Sequence, residues 1–129
     1  MVRMNWIATA SILLAFAVIL GAFGAHTLRD RLDQYSLDVY ERAVFYHFMH
    51  ALGLLALPLL VRSGLTPAWA GTWAGWLLVA GIVLFSGSLY VLAITGVRAL
   101  GAVTPFGGAS FIAAWVVLTV AALRGPGGR

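Results

Sequence analysis

The stretch WIATASILLAFAVILGAFGA, residues 6–25, carries no charge and only a threonine and a serine among its polar groups. About 20 mostly apolar residues are what a helix needs to cross the hydrocarbon core of a bilayer. Three more such runs follow, at about residues 43–61, 73–95 and 105–123, and none has a charged residue inside it. Four apolar runs in 129 residues leave little chain for anything else. The first run also has features of a secretory leader, with Arg3 ahead of it and the small-x-small triplet Ala22-Phe23-Gly24 near its end. Its length and the three runs behind it favour a retained span.

The composition points the same way. The chain is 62% hydrophobic and 9% charged, with a mean hydropathy of +0.98. A soluble domain is about a quarter charged, so twelve charges cannot coat a soluble domain of this size. Disorder is excluded by the same hydrophobicity. The net charge of +4 comes from eight arginines and no lysine, scattered from Arg3 to Arg129. They form no basic stripe, so no nucleic-acid partner is expected. With no cysteine there is no disulfide, thiolate metal site or cysteine nucleophile.

Helix ends are marked by their usual residues. Asn5 is placed to cap the first helix and Ser36 the second. Thr66-Pro67 and Thr104-Pro105 read as cap and first-turn proline. Gly64, Gly96 and Gly125 stand where helices should stop. Trp69, Trp73 and Trp76 recur at helical spacing, as an interfacial aromatic belt does. Between the first two spans, Leu28 and Leu32 share a face among Arg29, Asp30, Arg31 and Asp33. The segment 27–35 therefore reads as a short amphipathic stretch lying on the membrane, with a plain polar connector as the other reading. Gly71 with Gly75, and Gly21 with Ala25, are small-residue pairs that permit close helix contact.

Four spans put both termini on one face. The arginine count does not orient them: Arg3, Arg62, Arg124 and Arg129 stand against Arg29, Arg31, Arg42 and Arg98. All four acids, Asp30, Asp33, Asp38 and Glu41, lie on the second face. The expectation is cytoplasmic termini.

Polar residues inside the spans gather toward that second face. His26 ends the first span, His47 and His50 enter the second, and Ser86, Ser88, Tyr90 and Thr95 lie in the exit half of the third. Thr104 opens the fourth, followed by Pro105, Gly107 and Gly108, whose helix entry could expose backbone N–H groups to an anion. Polar groups in a bilayer tend to face the bundle interior, so these residues are expected to converge in one leaflet. These residue types are compatible with several chemistries. His47 and His50, three residues apart, could hold a metal or a haem iron with His26, or could simply be hydrogen-bonded inside the bundle. Proton-coupled export lacks an intramembrane carboxylate. Acyl transfer would need Ser86 or Ser88 beside His50, and no GxSxG elbow is present.

Several short motifs recur in a particular order. They are Gly21-Ala22-Phe23-Gly24-Ala25-His26, His50-Ala51-Leu52, Phe85-Ser86-Gly87-Ser88-Leu89-Tyr90, Thr95-Gly96 and Thr104-Pro105-Phe106-Gly107-Gly108, with Trp115 beyond them. This set resembles the small bacterial multi-pass membrane proteins of the YgdD/YwdK type, the family of domain of unknown function 423, to which the eukaryotic transmembrane protein 256 is similar. The resemblance covers about residues 6–123. It implies a four-helix integral membrane protein of the bacterial inner (plasma) membrane and supplies no established activity, so no catalytic residue is carried over. His47 stands outside the family motif.

The sequence therefore predicts an all-α, single-domain, four-helix membrane bundle with a short amphipathic segment between the first two helices. It predicts a non-enzymatic structural or binding protein with no cofactor and no metal. Its polar cluster would be His26, His50, Ser86, Ser88, Tyr90, Thr104, Gly107 and Gly108, binding a lipid headgroup, a small ligand or a partner helix, or serving structure alone. Membrane lipids are the expected partners, and homo-oligomerisation is plausible for so small a bundle. A small transporter or channel is the first alternative, and a haem- or metal-binding redox protein the second.

Overall fold

The computed structural model describes residues 3–125, so Arg129 lies outside the described residues. Four helices are long and apolar enough to cross a membrane. They are α1 (Trp6–Leu28), α2 (Gln34–Arg62), α3 (Ala68–Thr95) and α4 (Thr104–Arg124). No strand occurs among the described residues. In hydrocarbon every backbone N–H and C=O has to be satisfied within the protein, which a helix does by itself. The sequence supplies the ends. Asn5 Oδ1 accepts from Ala8 N–H at 3.1 Å. Gly64, Gly96 and Gly125 take the positive φ that helix termination needs, at 79°, 72° and 75°.

α2 is longer than the apolar run that announced it. Its 29 residues measure about 43 Å at 1.5 Å per residue, well beyond a hydrocarbon core of about 30 Å. Arg42 and Arg62 on this one helix stand about 30 Å apart by the same rise. That distance matches the core, so residues 34–42 project past it. On this scale His47 lies about 8 Å and His50 about 12 Å below the Arg42 level. Both are in the same half of the bilayer as the acidic face.

Three helix starts differ from expectation, the first being α3, where Pro67 stands at the cap position, Ala68 is the first helical residue and Thr66 does not cap. Asp33, not Ser36, caps α2, and its carboxylate accepts from Ser36 N–H at 2.7 Å. Thr104 is the first residue of α4 rather than its cap. The segment between α1 and α2 is also not a separate interfacial helix. α1 continues through a π-turn at Gly24–Leu28, and the chain reverses in a short turn before Gln34. Leu28 and Leu32 do share a face, but that face packs on the bundle's own end, against Val39, Tyr40 and Leu92. Arg98, in the α3–α4 loop, stacks over Tyr35 at 5.5 Å and closes this end.

Each helix packs chiefly on its sequence neighbours, and α3 is the most enclosed. The interior is small and aliphatic: Ala10, Ala51, Ala74 and Ala114 are fully buried beside Leu54 and Leu78. Large apolar side chains such as Ile12, Phe16, Phe106 and Ile112 point outward, where lipid replaces water. Glycines make room for aromatic rings. A Cβ on Gly75 would stand 2.7 Å from the Trp6 indole, and one on Gly53 2.9 Å from the Trp115 ring. Gly24 lies under the Tyr40 ring and Gly81 under Phe111. Trp69, Trp73 and Trp76 are all exposed, and Trp76 meets Trp6 edge-on at 5.4 Å. This is the aromatic belt that the spacing predicts.

Asp33 makes the start of α2 sensitive to acid. Hydrogen bonds from the Ser36 backbone N–H and then its hydroxyl, with a smaller contribution from Arg98, hold its carboxyl below the usual carboxylate range. A depressed native pKa contributes stability that is present above the unfolded-state value and lost as the pH falls through the native one. Thermal melts from neutral pH into acid should therefore show a Tm decrease in that window. Asp33→Asn, which keeps an acceptor oxygen, should abolish this contribution while retaining the cap at neutral pH. An identical acid profile for the two proteins would refute the assignment.

Candidate functional site

The polar residues of the acidic half are brought close but not to one point. They form a series of bonds between successive helices. At the α1–α2 contact, the Tyr40 hydroxyl donates to the Leu20 carbonyl. Tyr40 can reach it because Gly24 leaves space for the ring. At the α2–α3 contact, Ser86 Oγ donates to the Ala43 carbonyl at 2.8 Å, and Tyr90 Oη pairs with His47 Nδ1 at 2.9 Å. The Tyr40 and Tyr90 rings meet at 5.2 Å, joining the two contacts. At the α3–α4 contact, Ser88 and Thr104 hydroxyls lie 2.6 Å apart. Ser88 Oγ also donates to the Phe85 carbonyl at 3.0 Å, so Thr104 is the donor in the pair. Ser110 Oγ donates to the Leu77 carbonyl at 2.7 Å and ties α4 to α3 nearer the centre.

Local geometry on α3 makes this possible. Residues Ile82–Ser86 form a π-turn, a feature that interrupts the i→i+4 ladder and reorients the following side chains. Ser86 is fully buried against α2, while Phe85 packs between Tyr46 and Phe111 at 4.5 and 5.6 Å. Gly107 of α4 sits directly on the Phe85 backbone, and a Cβ there would overlap the Phe85 nitrogen. Gly108 faces the same ring at 3.7 Å. The Thr104-Pro105-x-Gly107-Gly108 entry is thus filled by Phe85. Gly87 has nothing within 4 Å of its Cβ position.

The histidines diverge. His26 is exposed and joins none of these bonds. The buried positions of α1 run Ala10, Ala17, Gly24 and Leu28, and residue 26 falls on the opposite side. The predicted convergence of all three histidines is therefore corrected. His50 Nδ1 donates to the Tyr46 carbonyl at 2.8 Å, and its ring stacks on Phe111 at 3.6 Å and 13°. His47 faces α3 through Tyr90, with the Leu13 backbone of α1 beside its ring. Its Nε2 is buried without a hydrogen-bond partner. One ring thus turns toward α4 and the other toward α1 and α3, and no group of three or more potential metal ligands forms among the described residues. Ser86 and Ser88 are committed to backbone carbonyls rather than to His50, so the arrangement contains no nucleophile–base pair. Tyr40 and Ser110 belong to the network although no predicted site included them, and His47, a candidate metal or haem ligand in the sequence, belongs to it through Tyr90. For Tyr40 the signal was a large polar ring in register with Gly24.

Among the described residues, one cleft borders these bonds at Tyr40 and another lies away from them. The small one of about 130 Å³ opens between Gly21, Gly24, Tyr40 and Glu41. The larger one of about 300 Å³ lies at the opposite end, lined by Arg3, Trp6, Leu57, Pro58, Arg62 and Gly71, among others.

The ties can be measured in mild detergent by thermal unfolding. Tyr90→Phe strips His47 of its hydrogen bond and should destabilise by about 1–3 kcal/mol. Gly107→Ala should cost about 1–3 kcal/mol by overpacking against the Phe85 backbone. Gly87→Ala, in open space, should be neutral or gain up to about 1 kcal/mol of helix propensity. Equal effects for the two glycine variants would contradict the packing described.

The chain resembles known proteins over most of its length. The family model described as "Protein of unknown function (DUF423)" matches residues 20–108. A UPF0382 membrane protein of Staphylococcus epidermidis is 53% identical over 108 residues, covering 84% of this chain and 86% of that protein. The UPF0382 membrane protein YwdK of Bacillus subtilis is 49% identical over 108 residues, covering 84% and 87%. No solved structure matches. A family model that matches more than half of the chain and identities near one half over most of both chains lead to one assignment: this chain belongs to the DUF423 family of multi-pass membrane proteins.

Proposed function

We propose that the protein is a non-enzymatic binding component of the bacterial plasma membrane. In this reading its His/Ser/Tyr/Thr residues are internal ties, and ligands are held at the ends of the bundle. The observation that carries the reading is the use of the polar side chains. The hydroxyls of Tyr40, Ser86, Ser88, Tyr90, Thr104 and Ser110 are each bonded to another helix or to the backbone. The two clefts lie at opposite ends, and buried Leu54, Leu57 and Leu78 close the space between them. A transport route would need polar groups along that interval. The relatives' names describe them as membrane proteins of Staphylococcus and Bacillus, which supports the plasma membrane as the location.

We place the termini in the cytoplasm. The arginines are evenly divided, and the position of all four acids on the opposite face adds only a small bias toward this orientation. The natural absence of cysteine makes this directly testable. Asp30→Cys should react with a membrane-impermeant maleimide in intact cells, and Ser63→Cys should react only after permeabilisation. The reverse pattern overturns the orientation. For the function itself, proteoliposomes containing the protein should show no more proton or ion flux than empty liposomes under an imposed gradient. A gradient-driven flux that His47→Phe abolishes would overturn the binding reading in favour of transport.

A further inference from the structure

The larger cleft is assembled from three helices. Arg3 and Trp6 come from the start of α1, Leu57, Pro58, Val61 and Arg62 from the end of α2, and Ala68, Gly71 and Thr72 from the start of α3. We propose that it binds the phosphate head of an anionic amphiphile, with Arg3 and Arg62 as the charge partners. This deepens the binding reading above and rests on it.

Four observations converge. The only ionisable side chains lining the cleft are two guanidiniums, and no carboxylate lines it among the described residues. The nearest acid along α2, Glu41, is about 31 Å from Arg62 at helical rise, beyond the reach of screened electrostatics at physiological ionic strength. Two guanidiniums facing one cavity without a counter-charge favour an anion that can accept several N–H bonds, and phosphate fits the planar donor fork of arginine.

Depth is the second observation. Arg62 ends the 30 Å interval that defines the hydrocarbon core, and the exposed Trp69, Trp73 and Trp76 ring this same end. The cleft is therefore at headgroup level, where lipid phosphates lie. The third is its lining: Leu57, Pro58 and Val61 give an apolar wall on the side facing the core, as the glycerol and acyl portion of an amphiphile requires. The fourth is backbone. α3 begins after Pro67 with no side-chain cap, so the N–H of Ala68 at the cleft is not taken by a capping side chain. The volume of about 300 Å³ is at the lower end of small-molecule sites, suited to a headgroup rather than to a whole lipid.

Native mass spectrometry of the delipidated full chain in neutral detergent tests the site. Phosphatidylglycerol is titrated against phosphatidylcholine, with soluble glycerol phosphate as competitor. One phosphatidylglycerol per chain should be retained in preference to phosphatidylcholine. The double variant Arg3→Gln/Arg62→Gln should lose that retention about tenfold with an unchanged Tm, since Arg3 and Arg62 are on the surface. Arg29→Gln/Arg31→Gln, at the other end, should bind as the native chain does. Displacement by glycerol phosphate supports a site that recognises a soluble phosphate ester, and retention despite it supports a membrane lipid. If the double variant retains phosphatidylglycerol like the native chain, the site is wrong and the binding reading stands. If the native chain retains no lipid, both fail.

Discussion

Helices in a bilayer have no water to escape, so burying leucine against leucine gains little over burying it in lipid. Close approach has to supply the association. In this bundle that approach is made by setting an aromatic ring against a glycine: Trp6 on Gly75, Tyr40 on Gly24, Trp115 on Gly53 and Phe111 on Gly81. Each ring brings dispersion contacts that a lipid tail cannot match on a grooved surface. Each also joins two helices, so α1 meets α2 and α3, and α4 meets α2 and α3. Alanine takes much of the remaining interior, interleaved with the buried Leu54, Leu57 and Leu78.

The hydroxyl bonds follow from that proximity. Ser86 reaches the Ala43 carbonyl, and Ser110 the Leu77 carbonyl, only because the helices already touch. The two halves of the bundle are therefore held differently. The acidic half has packing and directional hydrogen bonds. The terminal half relies on packing, with Leu54, Leu57 and Leu78 around Ala10 and Ala74, and the larger cleft opens there. Order in one half and accommodation in the other fit a protein that binds at one end while keeping its topology. His47 is the exception in the ordered half, where a buried Nε2 without a partner carries a desolvation penalty.

Much of this was legible in the residues. Four charge-free runs of about 20 residues decide the fold because only helices and closed barrels satisfy a backbone in hydrocarbon, and a barrel strand is about half that length. The placement of Ser86, Ser88, Tyr90 and Thr104 in one leaflet also follows from counting residues along helices. What counting could not give was rotation about each helix axis. His26 has the right depth and the wrong side, and the π-turn at Gly24–Leu28 alters the phase just where it sits. At the start of α2, Asp33 and Ser36 are both good capping types three residues apart, and residue type alone does not choose between them; Asp33 takes the cap and Ser36 supplies the N–H. The Arg3–Arg62 cleft joins positions far apart in the chain, and no local pattern links them.

The overhang of α2 has a consequence for the host membrane. Arg42 and Arg62 on one continuous helix form a ruler of about 30 Å. A solitary helix meets a thinner bilayer by tilting and a thicker one by drawing the lipid in around it. α2 cannot tilt alone, being bonded to α1 through Tyr40 and to α3 through Ser86 and Tyr90. The bilayer has to adapt instead, or the four helices must lean as one body. In the first case the protein sets the thickness of the surrounding lipid annulus, and in both a membrane that already has that thickness holds it without elastic strain.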